Sequence, residues 1–250
     1  MTGYTQAHAG TISSDDRLSI IMPAYNEADN LESIVRESFA ELDALSDHVD
    51  VVVVDDASND SSAEVLLKLQ KEFPKLCVYR NPQNIGCHPS TLVAWPLAEG
   101  EYRLFLASDG QIPPSEMRNF VEKAKEGFDV VYSWRVNRQD PTHRLWLSKC
   151  YNILTRVFFG IPVNDVDSSS LLTERAVETI LPNIRSDSAF ISVEILLEAK
   201  RQGLKIGEVQ ISHRPRTTGV AKGINLKDAC FVPLNFMRMF FWFCQQKLKS

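Results

Sequence analysis

The sequence predicts an α/β fold in which a mostly parallel sheet carries helices on both faces. Short apolar runs alternate with segments of helical periodicity, and this alternation is typical of βαβ units. Two of the runs, residues 51–54 and 104–107, stop abruptly at acidic residues. Because ligands of open parallel sheets bind beyond the carboxyl ends of the strands, acids at that edge indicate a binding site.

The predicted elements follow one another in a regular order. Strands are expected over residues 18–22, 49–54, 76–79, 102–106 and 128–134, with helices between them that reach about residues 45, 98 and 126. Ser58 to Asp60 supply N-cap chemistry for the second helix, and the pair Pro113–Pro114 opens the fourth. The second half predicts a polar loop over 136–143, helices over 145–158, 175–181 and 193–202, and strands over 171–173 and 205–213.

Length and composition favour one large domain with two short extensions. The chain has 250 residues, of which 44% are apolar and 24% charged, and its net charge of −5 argues against a nucleic-acid partner. Five cysteines without CxxC spacing predict neither a disulfide framework nor a zinc site, and they favour a reducing compartment. We expect a flexible lead-in over 1–16, the main domain over 17–224 and a helical segment over 225–250.

The two acidic corners predict different ligands. Asp55 and Asp56 end a run of four valines, and carboxylates in this position accept hydrogen bonds from a ribose or base, or help to hold a cation. Asp109 and Gln111 follow the other run and offer the oxygen ligands that Mg²⁺ or Mn²⁺ prefers. Such a cation would neutralise a diphosphate leaving group as a Lewis acid.

Basic residues in the second half complete the expected charge balance. A diphosphate needs positive partners, and arginine binds phosphate in a bidentate manner. The candidates follow a predicted strand or lie in a glycine-containing loop: Arg135, Arg138, Arg144, Arg214, Arg216 and Lys222.

Taken together, these motifs resemble the family 2 glycosyltransferases with the GT-A fold, and most closely their dolichol- and polyprenol-phosphate mannosyltransferase branch. The matching segments are residues 23–27, 55–56, 84–86, 108–114, 134–148, 165–167 and 213–222. The resemblance implies nucleotide-sugar contacts by Pro23, Tyr25, Glu27, Asp55, Asp56, Asn84, Gly86, Arg214, Arg216 and Lys222. It also implies catalytic roles for Asp109, Arg135, Arg144, Asp165 and Asp167, and metal binding by Asp109 and Gln111.

The resemblance implies inverting transfer of a sugar from a nucleotide-diphosphate donor to a polyprenyl phosphate, with Mg²⁺ or Mn²⁺. A lipid phosphate is already an anionic nucleophile, so this reaction needs no strong base. A saccharide hydroxyl acceptor would need one, and Asp165 and Asp167 are the candidates unless they serve as loop caps or ion-pair partners. The competing interpretation is a non-catalytic nucleotide-sugar-binding subunit.

Two departures from the family pattern bear on these alternatives. Ala107 stands where the metal motif usually has its first aspartate, so the cation would lose one anionic ligand. Residues 87–90, Cys-His-Pro-Ser, replace a stretch that is usually small, and we interpret His88 as a loop histidine rather than a catalytic residue.

The C-terminal segment predicts contact with a membrane surface. Residues 231–243 are rich in aromatic side chains but too short to span a bilayer, and a basic tail follows them. We therefore expect a cytoplasmic, peripheral membrane protein. The alternatives are a helix that packs on the domain, on a second copy of the chain or on a membrane subunit.

Overall fold

The computed structural model describes residues 11–136, 142–188 and 190–215. Several predictions fall outside these residues: the site residues Arg138, Arg216 and Lys222, the first ten residues of the lead-in, and the segment 225–250. Arg144 lies in a described helix, but its side chain is likewise outside the described part.

Seven strands and seven α-helices make up the described ranges. The strands are β1 Arg17–Ala24, β2 His48–Asp55, β3 Leu76–Arg80, β4 Tyr102–Phe105, β5 Val130–Arg135, β6 Ser170–Thr173 and β7 Ile206–Ile211. The helices are α1 Ala28–Asp43, α2 Ser62–Glu72, α3 Cys87–Ala94, α4 Met117–Lys125, α5 Thr142–Phe159, α6 Glu174–Ile180 and α7 Ile191–Arg201. Short 3₁₀ helices span Trp95–Leu97, Pro114–Glu116 and Leu181–Asn183.

The strands form one sheet in the order β3-β2-β1-β4-β6-β5-β7. Strand β1 pairs in parallel with β2 and β4, and β2–β3 and β5–β7 are also parallel pairs. Strand β6 runs antiparallel to both of its neighbours, β4 and β5. The prediction of a mostly parallel sheet is therefore confirmed. Strand β6 is the exception, and the sequence pattern did not predict its direction.

Buried side chains on both faces of the sheet explain why helices cover both. On β1 and β2, Ile20 and Val51 face a core that includes residues of α1 and α4. Their sequence neighbours Ile21 and Val52 face the opposite core, which includes Trp95 and residues of α6 and α7. Since successive side chains of a strand point to opposite faces, a continuous apolar run is what a sheet buried on both sides requires.

The loops after β1 and β2 are joined to each other at the carboxyl edge of the sheet. The Asn26 backbone N–H donates to Ser58 Oγ over 2.9 Å, and the Asn59 backbone N–H donates to Asn26 Oδ1 over 2.7 Å. The Ala28 backbone N–H donates to Asp60 Oδ2 over 3.2 Å at the start of α1. The predicted cap residues of α2 thus hold the beginning of α1, whereas the N-cap position of α2 is Ser61, whose side chain makes no capping hydrogen bond.

No helix within the described ranges is both long enough and apolar enough to cross a bilayer.

Ala57 adopts a backbone conformation that costs free energy. Its φ of 59° lies in the left-handed region, where the Cβ atom of an L-residue is crowded by its own backbone. The residue follows Asp56 directly, so the strain lies within the acidic corner at the end of β2.

We expect Ala57→Gly to raise the free energy of unfolding by up to about 1 kcal/mol, because glycine has no Cβ atom in this region. Urea denaturation of both proteins measures the change. The control is Ala40→Gly, at an exposed position inside α1, which should lower the free energy of unfolding by roughly 0.5–1 kcal/mol. Equal destabilisation by the two substitutions would contradict the strain at Ala57.

Candidate functional site

The carboxyl edge of the sheet gathers the predicted site residues from separate parts of the chain. Asp55 is the last residue of β2, Asp109 follows β4, and Arg135 is the last residue of β5. Ser108 donates its hydroxyl to the carbonyl of Pro23 over 3.0 Å, so the loops after β1 and β4 touch. This contact is expected from the topology, since β1 lies between β2 and β4.

Asp55 is buried and paired with a cation of the protein. One carboxylate oxygen accepts a hydrogen bond from the Ser58 backbone N–H over 2.9 Å, and the other accepts from the guanidinium of Arg80. Arg80 also donates to the Ser58 carbonyl over 2.9 Å. Arg80 was not among the predicted site residues, although it ends β3 directly opposite Asp55 in the parallel register.

Asp56 organises the turn that leads into α3. Its Oδ1 accepts from the Ile85 backbone N–H over 2.9 Å and from the Asn81 side chain over 2.8 Å. Its Oδ2 accepts from the Gly86 backbone N–H over 2.8 Å, and Gly86 has a φ of 96° that favours glycine. The Asn84 side chain donates to the Asp56 carbonyl over 3.3 Å. The predicted residues Asp56, Asn84 and Gly86 therefore form one hydrogen-bonded unit.

The contacts of Asp55 and Asp56 change the interpretation of the first acidic corner. Two adjacent acids suggested a bound cation or ligand, but donors of the protein itself already balance both carboxylates. Arg80 serves Asp55, while amide N–H groups serve Asp56.

Asp109 and Gln111 lie in a tight turn after β4. Asp109 Oδ1 accepts from the Gln111 backbone N–H over 3.1 Å, and Gly110 between them has a φ of 70°. Both side chains keep partial solvent exposure. One carboxylate with an amide oxygen suits Mg²⁺ bound together with a diphosphate, because Mg²⁺ retains several waters. Among the described residues, no group of three or more His, Cys, Asp or Glu side chains is placed to hold a metal ion.

Arg135 and Asp165 form a buried, bidentate ion pair. Arg135 Nε and Nη2 donate to the two oxygens of Asp165 over 2.8 and 3.1 Å, and Nη2 also donates to the Asp167 carbonyl over 3.3 Å. The side chains are only 14% and 4% exposed. Of the two roles left open for Asp165, the ion-pair role is therefore the one its contacts fit, and Arg135 fixes the loop that carries Asp167.

Asp167 contacts a histidine that the sequence analysis set aside. His88 Nε2 lies 3.0 Å from Asp167 Oδ1. The interpretation of His88 as a loop residue was wrong, since it lies in the first turn of α3. Burial alone would lower the pKa of His88, but the hydrogen bond and the negative charge of Asp167 together outweigh that effect and raise it.

Three predicted carboxylates affect the thiol of Cys87, the first residue of α3. Desolvation by the surrounding protein, followed by the negative charges of Asp167, Asp109 and Asp56, raises the pKa of Cys87 to about 12. The thiol therefore stays protonated at neutral pH, although the residue retains contact with solvent. Hydrogen bonds join two of these acids to the start of α3, since Asp56 accepts from the N–H groups of Ile85 and Gly86 and Asp167 contacts His88.

Other predicted residues shape the loops around this site. Arg214 makes a bidentate ion pair with Glu37 of α1, with N–O distances of 3.0 and 2.9 Å. Its backbone N–H donates to the Gln111 carbonyl over 2.7 Å, which ties the segment after β7 to the Asp109 turn. Tyr25 accepts from the Asn59 side chain over 3.4 Å.

Glu27 is buried at the start of α1, where it accepts from Asn30 over 2.6 Å. Pro23 lies within β1, and its carbonyl is the group that accepts the hydroxyl of Ser108.

Solved structures with the same fold include glucosyl-3-phosphoglycerate synthase from Mycobacterium tuberculosis. Its complex with Mn²⁺, UDP and glucosyl-3-phosphoglycerate matches with a TM-score of 0.65 at 16% identity, over 88% of this chain and 78% of that chain. Its complex with Mg²⁺ and UDP gives a TM-score of 0.63 at 16% identity, over 88% and 78%. This likeness confirms the predicted GT-A type of α/β fold.

Curated relatives share more of the sequence. The undecaprenyl-phosphate 4-deoxy-4-formamido-L-arabinose transferase of Salmonella paratyphi A is 30% identical over 208 residues, which are 82% of this chain and 62% of the relative. The protein of the same name from Pseudomonas syringae pv. syringae is 30% identical over 207 residues, or 82% of this chain and 60% of that relative. The chain thus spans less than two thirds of the length of these relatives.

We expect Asp56→Asn to lower the free energy of unfolding by about 2 kcal/mol, because an amide cannot accept from all three N–H donors that surround Asp56. Urea denaturation measures the effect. Asp43→Asn, at the exposed end of α1, is the control and should change stability by less than about 0.5 kcal/mol. Similar stability of both variants would show that Asp56 does not hold the turn.

The sequence profile of Glycosyl transferase family 2 matches residues 19–180. The match covers more than half of the chain and includes the acidic corners, the Arg135–Asp165 pair and the His88–Asp167 contact. The chain belongs to glycosyl transferase family 2.

Proposed function

We propose that the protein transfers a sugar from a nucleotide-diphosphate donor to a polyprenyl phosphate. The observation that carries the proposal is the pair of contacts at the start of α3, where Asp56 accepts from the Gly86 N–H and His88 lies 3.0 Å from Asp167, on the edge where parallel sheets bind ligands. Membership of the family supports glycosyl transfer. The relatives whose names specify undecaprenyl phosphate support the acceptor class.

We expect Asp109 and Gln111 to hold Mg²⁺ or Mn²⁺ together with the donor diphosphate. Glucosyl-3-phosphoglycerate synthase from Mycobacterium tuberculosis, which has the same fold, binds Mn²⁺ or Mg²⁺ with UDP, and this supports the assignment. The cation would offset the charge that develops on the departing diphosphate.

The proposed reaction exchanges one bond at the anomeric carbon for another. A phosphate oxygen of the acceptor forms a bond to this carbon as the bond to the diphosphate oxygen breaks, and the nucleoside diphosphate leaves with the bonding electrons. Attack opposite the leaving group inverts the configuration. The residues of the protein would orient the two substrates for this in-line geometry, and no group has to remove a proton from the acceptor.

The contacts of Asp165 argue against this residue as the general base for a hydroxyl acceptor. A hydroxyl nucleophile needs a general base, and Asp165 is committed to Arg135 in a buried pair. The second candidate function, a nucleotide-sugar binder without transferase activity, is favoured by Ala107 alone, since this residue removes a carboxylate from the metal motif.

We expect Asp109→Ala to abolish Mn²⁺-dependent binding of the donor and to reduce transfer about 100-fold or more, since it removes the only carboxylate of the metal motif. A thermal-shift screen of UDP- and GDP-sugars with and without Mn²⁺ identifies the donor. Transfer of its sugar to undecaprenyl phosphate is then measured.

The control for this experiment is Asp47→Ala, an exposed carboxylate that precedes β2 at the opposite edge of the sheet. Activity of Asp109→Ala equal to that of the wild type would refute the metal assignment. Donor binding by the wild type without transfer to lipid-phosphate or hydroxyl acceptors would establish the non-catalytic binder instead.

Helix α5 supports the proposed contact with a membrane surface. Ile153 and Val157 follow Trp146 by 7 and 11 residues, which places all three side chains on one helix face. The exposed fraction is 69% for Trp146, 50% for Ile153 and 71% for Val157. Lys149 and Arg156 are basic neighbours on the same helix. An exposed apolar stripe with a tryptophan and basic residues fits the interface of an anionic bilayer.

A cavity of about 310 Å³ lies along this helix, lined by Trp134, Ser148 and Asn152 and by the buried Asp165. We therefore propose that the protein binds peripherally to the membrane that contains its lipid acceptor.

We expect the triple variant Trp146→Ser, Ile153→Ser, Val157→Ser to bind liposomes of phosphatidylglycerol and phosphatidylethanolamine about tenfold more weakly, because it removes apolar area from the interface. Flotation measures the binding. Leu67→Ser on α2, at a residue 60% exposed, is the control for an apolar surface residue elsewhere.

A second variant separates the two membrane hypotheses. Removal of residues 231–250 tests the C-terminal segment. Unchanged flotation of this variant, if it is folded, would contradict the membrane contact expected for that segment. Unchanged flotation of the triple variant would exclude α5 in the same way, and a fall in its stability would show that another part of the protein covers the stripe.

A further inference from the structure

We infer that His88, held by Asp167, contacts the phosphate group of the acceptor through its second ring nitrogen. The inference rests on the proposed function, because it takes the acceptor to be a lipid monophosphate. It assigns a substrate contact to a residue that the sequence pattern set aside.

The backbone at His88 is fixed from the nucleotide corner. Asp56 binds the N–H groups of Ile85 and Gly86, the two residues that lead into α3. His88 is the second residue of that helix, and Pro89 follows it and restricts the backbone further. The imidazole therefore projects from a segment that is anchored to the end of β2.

The other half of the contact is fixed from the opposite side. Arg135 donates to the Asp167 carbonyl while it holds Asp165 in a bidentate pair. Asp167 thus extends from a loop that is tied to β5, and the His88–Asp167 hydrogen bond joins this loop to α3. Two independently anchored groups meet here, as a substrate-positioning contact requires.

The chemistry of the imidazole then leaves one nitrogen for a ligand. A carboxylate accepts, so Nε2–H donates to Asp167 and fixes the orientation of the ring. Among the described residues, Asp167 is the one hydrogen-bond partner of His88. When the ring is protonated, Nδ1–H is a charged donor, the type of group that binds phosphate oxygens most strongly.

The charge of the site favours this assignment. Asp56 and Asp167 both contact the start of α3, so an anionic acceptor would be repelled there unless a cation faced it. Arg80, Arg135 and Arg214 already form ion pairs with carboxylates of the protein. Burial lowers the pKa of His88, but the hydrogen bond and charge of Asp167 outweigh that effect and raise it.

The first test observes the imidazole directly. The chain has five histidines, and comparison with His88→Gln assigns the ring signals of His88 in ¹H–¹⁵N spectra. We expect farnesyl phosphate to shift these signals, farnesol to leave them unchanged, and inorganic phosphate to shift them only at much higher concentration. His48, exposed at the start of β2 on the opposite edge, should not respond.

Two results of this experiment would overturn the inference. One is the absence of a shift at His88 when farnesyl phosphate saturates the protein. The other is an equal response to farnesol, which would show that the lipid chain rather than the phosphate affects the ring.

The second test separates acceptor binding from donor binding. We expect His88→Gln to raise the KM for undecaprenyl phosphate about 10- to 100-fold, the effect of losing one charged hydrogen bond, and to change the KM for the nucleotide sugar less than about twofold. Asp167→Asn in the His88→Gln background should cause little further loss in the KM for the acceptor, because both substitutions break the same contact.

Other outcomes show whether the role of His88 or the proposed function is wrong. A rise in the donor KM alone, or fully additive effects of the two substitutions, would overturn the role of His88. Wild-type activity with undecaprenyl phosphate that His88→Gln leaves unchanged would also overturn it while the proposed function stands. A wild-type protein that binds donor but glycosylates no polyprenyl phosphate would overturn both. His48→Gln is the matched control, and urea denaturation shows whether each variant is folded.

Discussion

The carboxylate of Asp56 is the point on which the arrangement of the site depends. It receives N–H donors from Asn81, Ile85 and Gly86, and thereby attaches the start of α3 to the end of β2. A buried carboxylate without these donors would be costly, and the turn without this acceptor would lose the hydrogen bonds of two N–H groups. Each group therefore requires the other, and their pairing sets where α3 begins and where its first side chains point.

The other acidic residues at the carboxyl edge of the sheet differ in their burial and in their partners. Asp55 and Asp165 are buried and each is paired with an arginine, so these two acids stabilise the loops that carry them. Asp109 keeps partial exposure, and the side chain of Asp167 is 48% exposed. Exposure thus separates Asp55 and Asp165, which hold the loops in place, from Asp109 and Asp167, which face the place where a substrate would lie. This distinction is absent from the sequence, where all four acids end or follow apolar segments.

The parts of this picture that the sequence predicts are those set by local patterns. The valine run before Asp55 implies a strand buried on both faces, and β2 is buried as expected. The antiparallel direction of β6 depends on the path of the chain between β5 and α6, which has no local signature. Likewise, Arg80 and His88 contribute through contacts with Asp55 and Asp167, which are distant in sequence. Pairing between strands and loops determines such contacts, so only a structure reveals them.

Ala107 and His88 change the charge of the site in the same direction. Ala107 removes a negative charge from the loop after β4, and His88 adds a basic group at the start of α3. In the proposed reaction a diphosphate and a lipid monophosphate must approach each other within one site, and their mutual repulsion grows as water is excluded. A site with one acid fewer and one base more lowers the free energy of holding both anions. The two departures from the family pattern are therefore consistent with a phosphate acceptor.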